Sequence, residues 1–152
     1  MNAPCNLLAL LLGAGLASFQ LVLLSTEGGI NPGEERITLD QDGSVLVRSW
    51  RLSQGSPREE RWAVGPAVVE AVAAAIAEAQ FFEFPELLNE ATGAVAAFST
   101  TLEVGTDSGR HSVTAYRHGS PPPPQRFVQL AQRIRELVLK ARPSPPPPEP
   151  TP

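Results

Sequence analysis

The residues able to do chemistry are few in this chain, and their spacing keeps most of them apart. His111 and His118 flank a predicted strand and differ by seven positions. Odd spacing on a strand sends side chains to opposite faces, so the two histidines are not expected to share a metal ion. Cys5 is the only cysteine, which leaves a zinc site short of its usual ligands unless carboxylates substitute. The adjacent pairs Glu34-Glu35 and Glu59-Glu60 point away from each other if extended, and neither is a ready acid–base couple. Ser99, Ser108 and Ser112 lie near the histidines in sequence, but no strand-to-helix nucleophile elbow carries them. Gly28-Gly29 lacks the further glycines and the following helix of a phosphate loop. The chain therefore reads as a non-enzyme, with no catalytic, metal or cofactor-binding residues expected.

Recognition is the chemistry that remains. Glu27-Gly28-Gly29-Ile30-Asn31-Pro32-Gly33 follows an apolar strand and precedes a hairpin. A loop held by such a scaffold loses less entropy on docking than a free one. Glu27, Gly28, Gly29, Ile30 and Asn31 are the candidate partner-binding residues; the alternative is that Gly28-Gly29 merely turns the chain. The cluster Arg126, Arg133, Arg135 and Lys140 is spread around a helix and reads as a solvated face. The formal charge is −4, with both signs interspersed, so no basic footprint for nucleic acid is present.

Of the 152 residues, both ends stand apart in composition. Residues 1–26 carry no charged side chain. Leu7–Leu12 resembles the apolar core of a signal peptide, with small residues Gly15 and Ala17 placed for a cut before Ser18. Met1–Asn6 nevertheless lacks the usual Lys or Arg. Export to the periplasm or medium is the expectation, with residues 1–17 as leader. An uncleaved membrane anchor and a start codon placed too early, which would leave the chain cytoplasmic, are the alternatives. Arg142–Pro152 is a proline-rich tail of P-x-x-P character, expected to be unstructured and to sample polyproline II. Residues 18–141 remain for one domain, a size sufficient for a single core. With one cysteine, no internal disulfide can form.

Within that domain, Phe19–Leu24 reads as a strand buried on both faces or central in a sheet. Arg36–Asp40 alternates with period two, Asp42-Gly43 forms a hairpin turn, and Val45–Leu52 returns. Of the two faces of the return strand, Leu46, Arg48, Trp50 and Leu52 are assigned to the core. Arg58–Val64 either extends the sheet or forms a loop. Gly65-Pro66 opens a helix whose apolar stripe is Val68, Val69, Val72, Ile76 and Ala79. That helix ends in an aromatic plug, Phe81-Phe82-Glu83-Phe84-Pro85, where at least two of the three phenylalanines should be buried. Phe98–Val104 and His111–Arg117 form a second strand pair, the latter with Val113 and Ala115 inward. After Pro121–Pro124, Phe127, Leu130, Ile134, Leu137 and Ala141 mark a second amphipathic helix. The expected class is α+β: an antiparallel sheet of about four to five strands covered on one face by two helices, in the order βββαββα.

The motifs Glu27-Gly28-Gly29, Asp42-Gly43 and Ala79–Pro85, with Phe98–Val104 and Val128–Leu139, resemble the emfourin-like family of small bacterial proteins. The resemblance runs from Phe19 to Lys140. It implies the α+β fold. It also implies a binding function, inhibition of a thermolysin-like metalloprotease, with that protease as partner. On chemistry alone, Glu27 is able to bring a carboxylate toward a catalytic zinc of such a partner. No inhibitory contact is carried over residue by residue, and the leader, the Pro121–Pro124 run and the tail depart from a bare inhibitor domain. The other functional expectation is an exported or membrane-tethered structural and interaction domain. If the leader is cleaved, mass spectrometry of the secreted or periplasmic protein will show an N-terminus near Ser18. Intact Met1 in the membrane fraction would mark an anchor, and intact Met1 in the cytosol would remove both readings.

Overall fold

The computed structural model describes residues 19–148; the expected leader, the expected cut before Ser18 and the last four residues of the tail lie outside them. Six strands form one antiparallel sheet: β1 (Phe19–Glu27), β2 (Gly33–Asp40), β3 (Ser44–Arg51), β4 (Arg58–Ala63), β5 (Ser99–Thr106) and β6 (Gly109–Tyr116). Their spatial order is β4-β3-β2-β1-β5-β6. Helix α1 (Pro66–Glu78) connects β4 to β5, and α2 (Gln125–Lys140) follows β6. The α+β class and the two helices are as expected, but the sheet has one more strand than four to five. Arg58–Ala63 is that strand, so the order is ββββαββα.

Two cross-strand rows build the floor of the core. One runs Val47–Ile37–Leu23–Leu102–Val113 and the other Val45–Leu39–Leu21–Val104; every one of these side chains is buried. Val72, Ala75 and Ile76 of α1 and Phe127, Leu130, Ile134 and Val138 of α2 complete the same cluster. Both helices thus close one face of the sheet, as their apolar stripes require. The other face stays partly open, with Val22, Leu24 and Leu46 half-buried among Thr38, Arg36, Arg48 and Glu103.

The face of β3 is the reverse of the one assigned from sequence. Val45 and Val47 are buried, whereas Arg48 is exposed and Leu46 and Trp50 are half-covered. The reason lies in the turn. Gly43 N–H donates to Asp40 O at 3.0 Å, Gly43 is left-handed at φ 87°, and Leu39 pairs with Val45. This is a three-residue loop, Gln41–Gly43, closed by a glycine bulge. A two-residue Asp42-Gly43 turn would have set Leu39 against Leu46, and one residue of slip flips every side chain on the strand. Asp42 helps hold the loop by accepting from Ser44 N–H at 2.9 Å.

Sheet edges are treated differently on the two sides. Thr114 N–H donates to Glu86 O at 2.8 Å and Leu88 N–H to Thr114 O at 3.0 Å, so residues 86–90 cap the β6 edge. Asn89, the buried polar residue of that segment, binds Tyr116 through both ends of its amide, at 2.7 Å each, and donates to Pro121 O at 2.9 Å. Strand β4 at the other edge carries exposed Arg58-Glu59-Glu60-Arg61, charges that discourage pairing with another chain.

The aromatic plug locks α1 to the sheet. Gln80 takes a left-handed conformation at φ 52°, which ends the helix and swings Phe81 inward. Phe81 and Phe84 are buried and Phe82 is half-buried. The Phe81 ring lies edge-on to Phe82 and His111, with centroids 5.3 Å away in each case, and Phe84 meets Phe127 of α2 edge-on at 5.8 Å. His111 Nε2–H donates to Phe84 O at 2.9 Å, so this histidine tethers the plug. Truncating Phe81 or Phe84 to Ala is expected to cost about 3–5 kcal/mol, and Phe82→Ala clearly less. Urea denaturation of the three variants checks this ranking; equal midpoints for all would refute it.

Candidate functional site

The Glu27–Gly33 segment sits where the alternation that builds the core runs out into solvent. Continuing the buried parity outward, Leu23, Ser25 and Glu27 on β1 match Ile37, Glu35 and Gly33 on β2 and Val47, Ser49 and Arg51 on β3. Glu27, Gly33 and Arg51 therefore form one row across three strands. Gly33 stands in the middle, and a Cβ there would lie 2.6 Å from Trp50 O and 2.8 Å from Arg51 Cγ. The missing side chain lets Arg51 reach across β2 to Glu27, where Nη1–H donates to Oε2 at 2.7 Å.

From the other side, Arg117 follows β6 and is held in line by its N–H donating to Phe98 O at 2.8 Å. Its guanidinium lies 5.8 Å from the centre of the Phe98 ring. Nη1 is 3.6 Å from Glu27 Oε1, and Nη2 donates to Thr26 O. One carboxylate is thus flanked by two arginines that arrive from opposite directions. The hydrogen bond from Arg51, and then the charges of Arg51 and Arg117, outweigh partial desolvation and hold the Glu27 carboxyl below its ordinary value. A polar cleft of about 420 Å³ opens here, with Glu27, Arg51, Arg117, Glu35 and Arg135 in its walls.

The rest of the loop is pinned on both flanks. Toward β3, Asn31 Oδ1 accepts from Ser53 N–H at 2.9 Å, and Leu52 N–H donates to Pro32 O at 3.0 Å. Toward β5, Thr26 Oγ1 donates to Ala97 O at 3.0 Å and accepts from Ser99 N–H at 3.2 Å. A Cβ on Gly28 would fall 2.5 Å from Ala97 Cβ, so glycine permits this close contact with the turn at residues 93–97. Gly29 is left-handed at φ 83° and reverses the chain. At the tip, Ile30 is 100 % exposed. The two flanking turns add Leu52, 57 % exposed, and Val95, 39 % exposed. Three of the exposed large hydrophobics therefore belong to segments that converge at one end of the sheet.

The five residues singled out from sequence do lie together, but they divide in two. Glu27, Gly28 and Asn31 hold the loop, Gly29 turns it, and Ile30 alone projects a side chain fully into solvent. Arg51, Arg117 and Ala97 support it from strands and turns far away in sequence; Gly33, at the end of the loop itself, left a local trace. The histidines are apart in function as well: His111 serves the plug, and His118 meets Phe98 edge-on at 5.1 Å. Among the described residues no group of three or more His, Cys, Asp or Glu is arranged to hold a metal ion. No helix among them is long and apolar enough to cross a membrane. Compared with known proteins, the chain matches no family model and no curated protein.

The depressed Glu27 value carries a pH signature. Because the folded-state carboxyl titrates below 4.5, its contribution is complete above that pH and is lost as pH falls through the lowered value. The carboxylate is over a third exposed, so the effect is small and screened by salt. The stability difference between wild type and Glu27→Gln should be constant above pH 5 or so and vanish in more acidic solution. Denaturation midpoints measured across that range test it, and a difference independent of pH would refute the pairing.

Proposed function

We propose that this protein is a non-enzymatic binding domain whose Glu27–Gly33 loop docks onto a protein partner. The partner class is the one implied by the emfourin-like sequence pattern, a thermolysin-like metalloprotease. The supporting observation is Ile30: a large apolar side chain, fully exposed, on a loop whose two sides are tied to neighbouring turns. Burying such a side chain contributes about 1.5–3 kcal/mol, and a preordered loop keeps most of that as affinity. Leu52 and Val95 would widen the apolar contact, while the Glu27–Arg51–Arg117 group sets the angle at which the loop leaves the sheet. In this reading Glu27 is a positioning residue and Ile30 the anchor, so the carboxylate is not offered to a catalytic zinc. Export, as the leader suggests, would bring the domain to a secreted protease.

Titration of the purified protein against a thermolysin-like protease tests the proposal. Wild type should inhibit at micromolar concentration or below. Ile30→Ala should weaken inhibition roughly tenfold or more, in line with the apolar area lost, and Ile30→Asp should weaken it further. Val128→Ala, also an exposed apolar position but on α2, serves as the control and should match wild type. Absence of inhibition by wild type counts against the protease reading for the enzyme used. Equal inhibition by wild type and the Ile30 variants moves the interface elsewhere.

A further inference from the structure

We infer that the slot between α2 and the sheet, beside the polar cleft, binds a small apolar carboxylate. Its walls are Leu23 and Ala115 from the sheet and Phe127 and Ala131 from α2, all four buried in the core cluster. Two alanines, one on each side, leave space that larger side chains would have filled. The volume is about 200 Å³, below the ~300–1,000 Å³ of pockets for drug-sized ligands. It suits one apolar side chain or a short acyl group.

Arg117 and Arg135 line this slot and also line the polar cleft at the loop base, so the two spaces meet at a pair of guanidiniums. Charges of both signs line the joined space. Arg51, Arg117 and Arg135 face Glu27 and Glu35, while Glu34, also on the cleft wall, lies 3.9 Å from Arg36. With Glu34 drawn toward Arg36, the three guanidiniums of the wall share Glu27 and Glu35. The arginines also have donors to offer. Arg135 binds Glu35 through Nε and Nη2, at 2.7 and 3.1 Å, and Nη1 takes no part in that pair. The Arg117–Glu27 approach of 3.6 Å is longer than a hydrogen bond and can be exchanged for a shorter one. Ser25 and Thr100, paired across β1 and β5, add hydroxyls between the apolar walls and the guanidiniums. An apolar group in the slot with its carboxylate on the arginines satisfies both halves. A peptide ending in an aliphatic residue and a free short-chain acid share this chemistry. The inference is independent of the role proposed for Ile30.

The test is an amide-resolved NMR titration of the folded protein with N-acetyl-leucine, N-acetyl-leucinamide and hexanoate. The two carboxylates should shift the Thr100, Ala115 and Ala131 amides saturably, and the uncharged amide should bind at least roughly tenfold more weakly. Tighter binding of N-acetyl-leucine than of hexanoate would identify a peptide C-terminus as the source, and the reverse order a free acid. Ala131→Leu should fill the slot and abolish the shifts, and circular dichroism confirms that this variant stays folded. Arg135→Gln, at an exposed position, provides a second variant and should weaken the carboxylates while leaving the amide unchanged. The inference is overturned by no saturable shift up to about 10 mM of either acid, by equal binding of the amide, or by full carboxylate affinity in Arg135→Gln.

Discussion

The pairing of Leu39 with Val45 across the Gln41–Gly43 loop governs both ends of the molecule. Strand side chains alternate, so one pairing commits every residue on both strands to a face. Toward the turn it gathers Val45, Val47, Ile37 and Leu39 under the helices. Away from the turn, the same parity aligns Arg51 with Gly33 and Glu27, and so builds the group that supports the exposed loop. A slip of one residue would expose the valines, bring Leu46 and Arg48 under the helices and take Arg51 away from Glu27. Core and candidate site are thus two consequences of one register. The loop stays three residues long because Gly43 accepts the left-handed conformation and lies against Val64, whose N–H donates to Gly43 O at 2.9 Å.

The Glu27–Arg51–Arg117 group contributes direction more than stability. Its members are partly exposed, and ion pairs of that kind are worth about 0–1 kcal/mol each. Their geometry is nonetheless restrictive, since Arg51 crosses a glycine and Arg117 passes an aromatic ring to reach the same carboxylate. Together with Asn31 and the Gly28–Ala97 contact, they leave the loop few ways to rearrange. A fully exposed Ile30 costs some solubility and is poorly explained by folding, because it buries nothing within the domain. Its position at the apex of a braced loop is the observation on which the proposed binding role rests.

The edges and helices narrow where else a partner could attach. Residues 86–90 occupy the β6 edge, and the charges of β4 oppose strand addition. The loop end of the sheet carries an apolar tip, and beside it a polar cleft and an apolar slot that share two arginines. In the proposed reading the tip would offer a side chain to a partner, the slot would receive one, and the two would act separately.

The local pattern of the sequence determined the class of fold. Alternation marked four of the strands and an apolar run the first, the spacing of Val72 and Ile76 and of Phe127, Leu130 and Ile134 marked the helices, and the phenylalanine cluster marked the plug. Sequence also placed the exposed loop, because Gly28-Gly29 and Pro32 break an apolar strand in a way that little else does. The sixth strand was left open against a loop because Arg58–Arg61 is an edge, charged throughout, with no apolar alternation to decide it. The face of β3 escaped because alternation fixes which residues share a side but not which side is inward; that choice belongs to turn length and to the neighbouring strand. The roles within the loop were likewise decided only by tertiary structure. Whether Glu27 reaches outward or is held depends on Arg51 and Arg117, which are remote in sequence and become neighbours of Glu27 only when β3, β2, β1, β5 and β6 lie side by side.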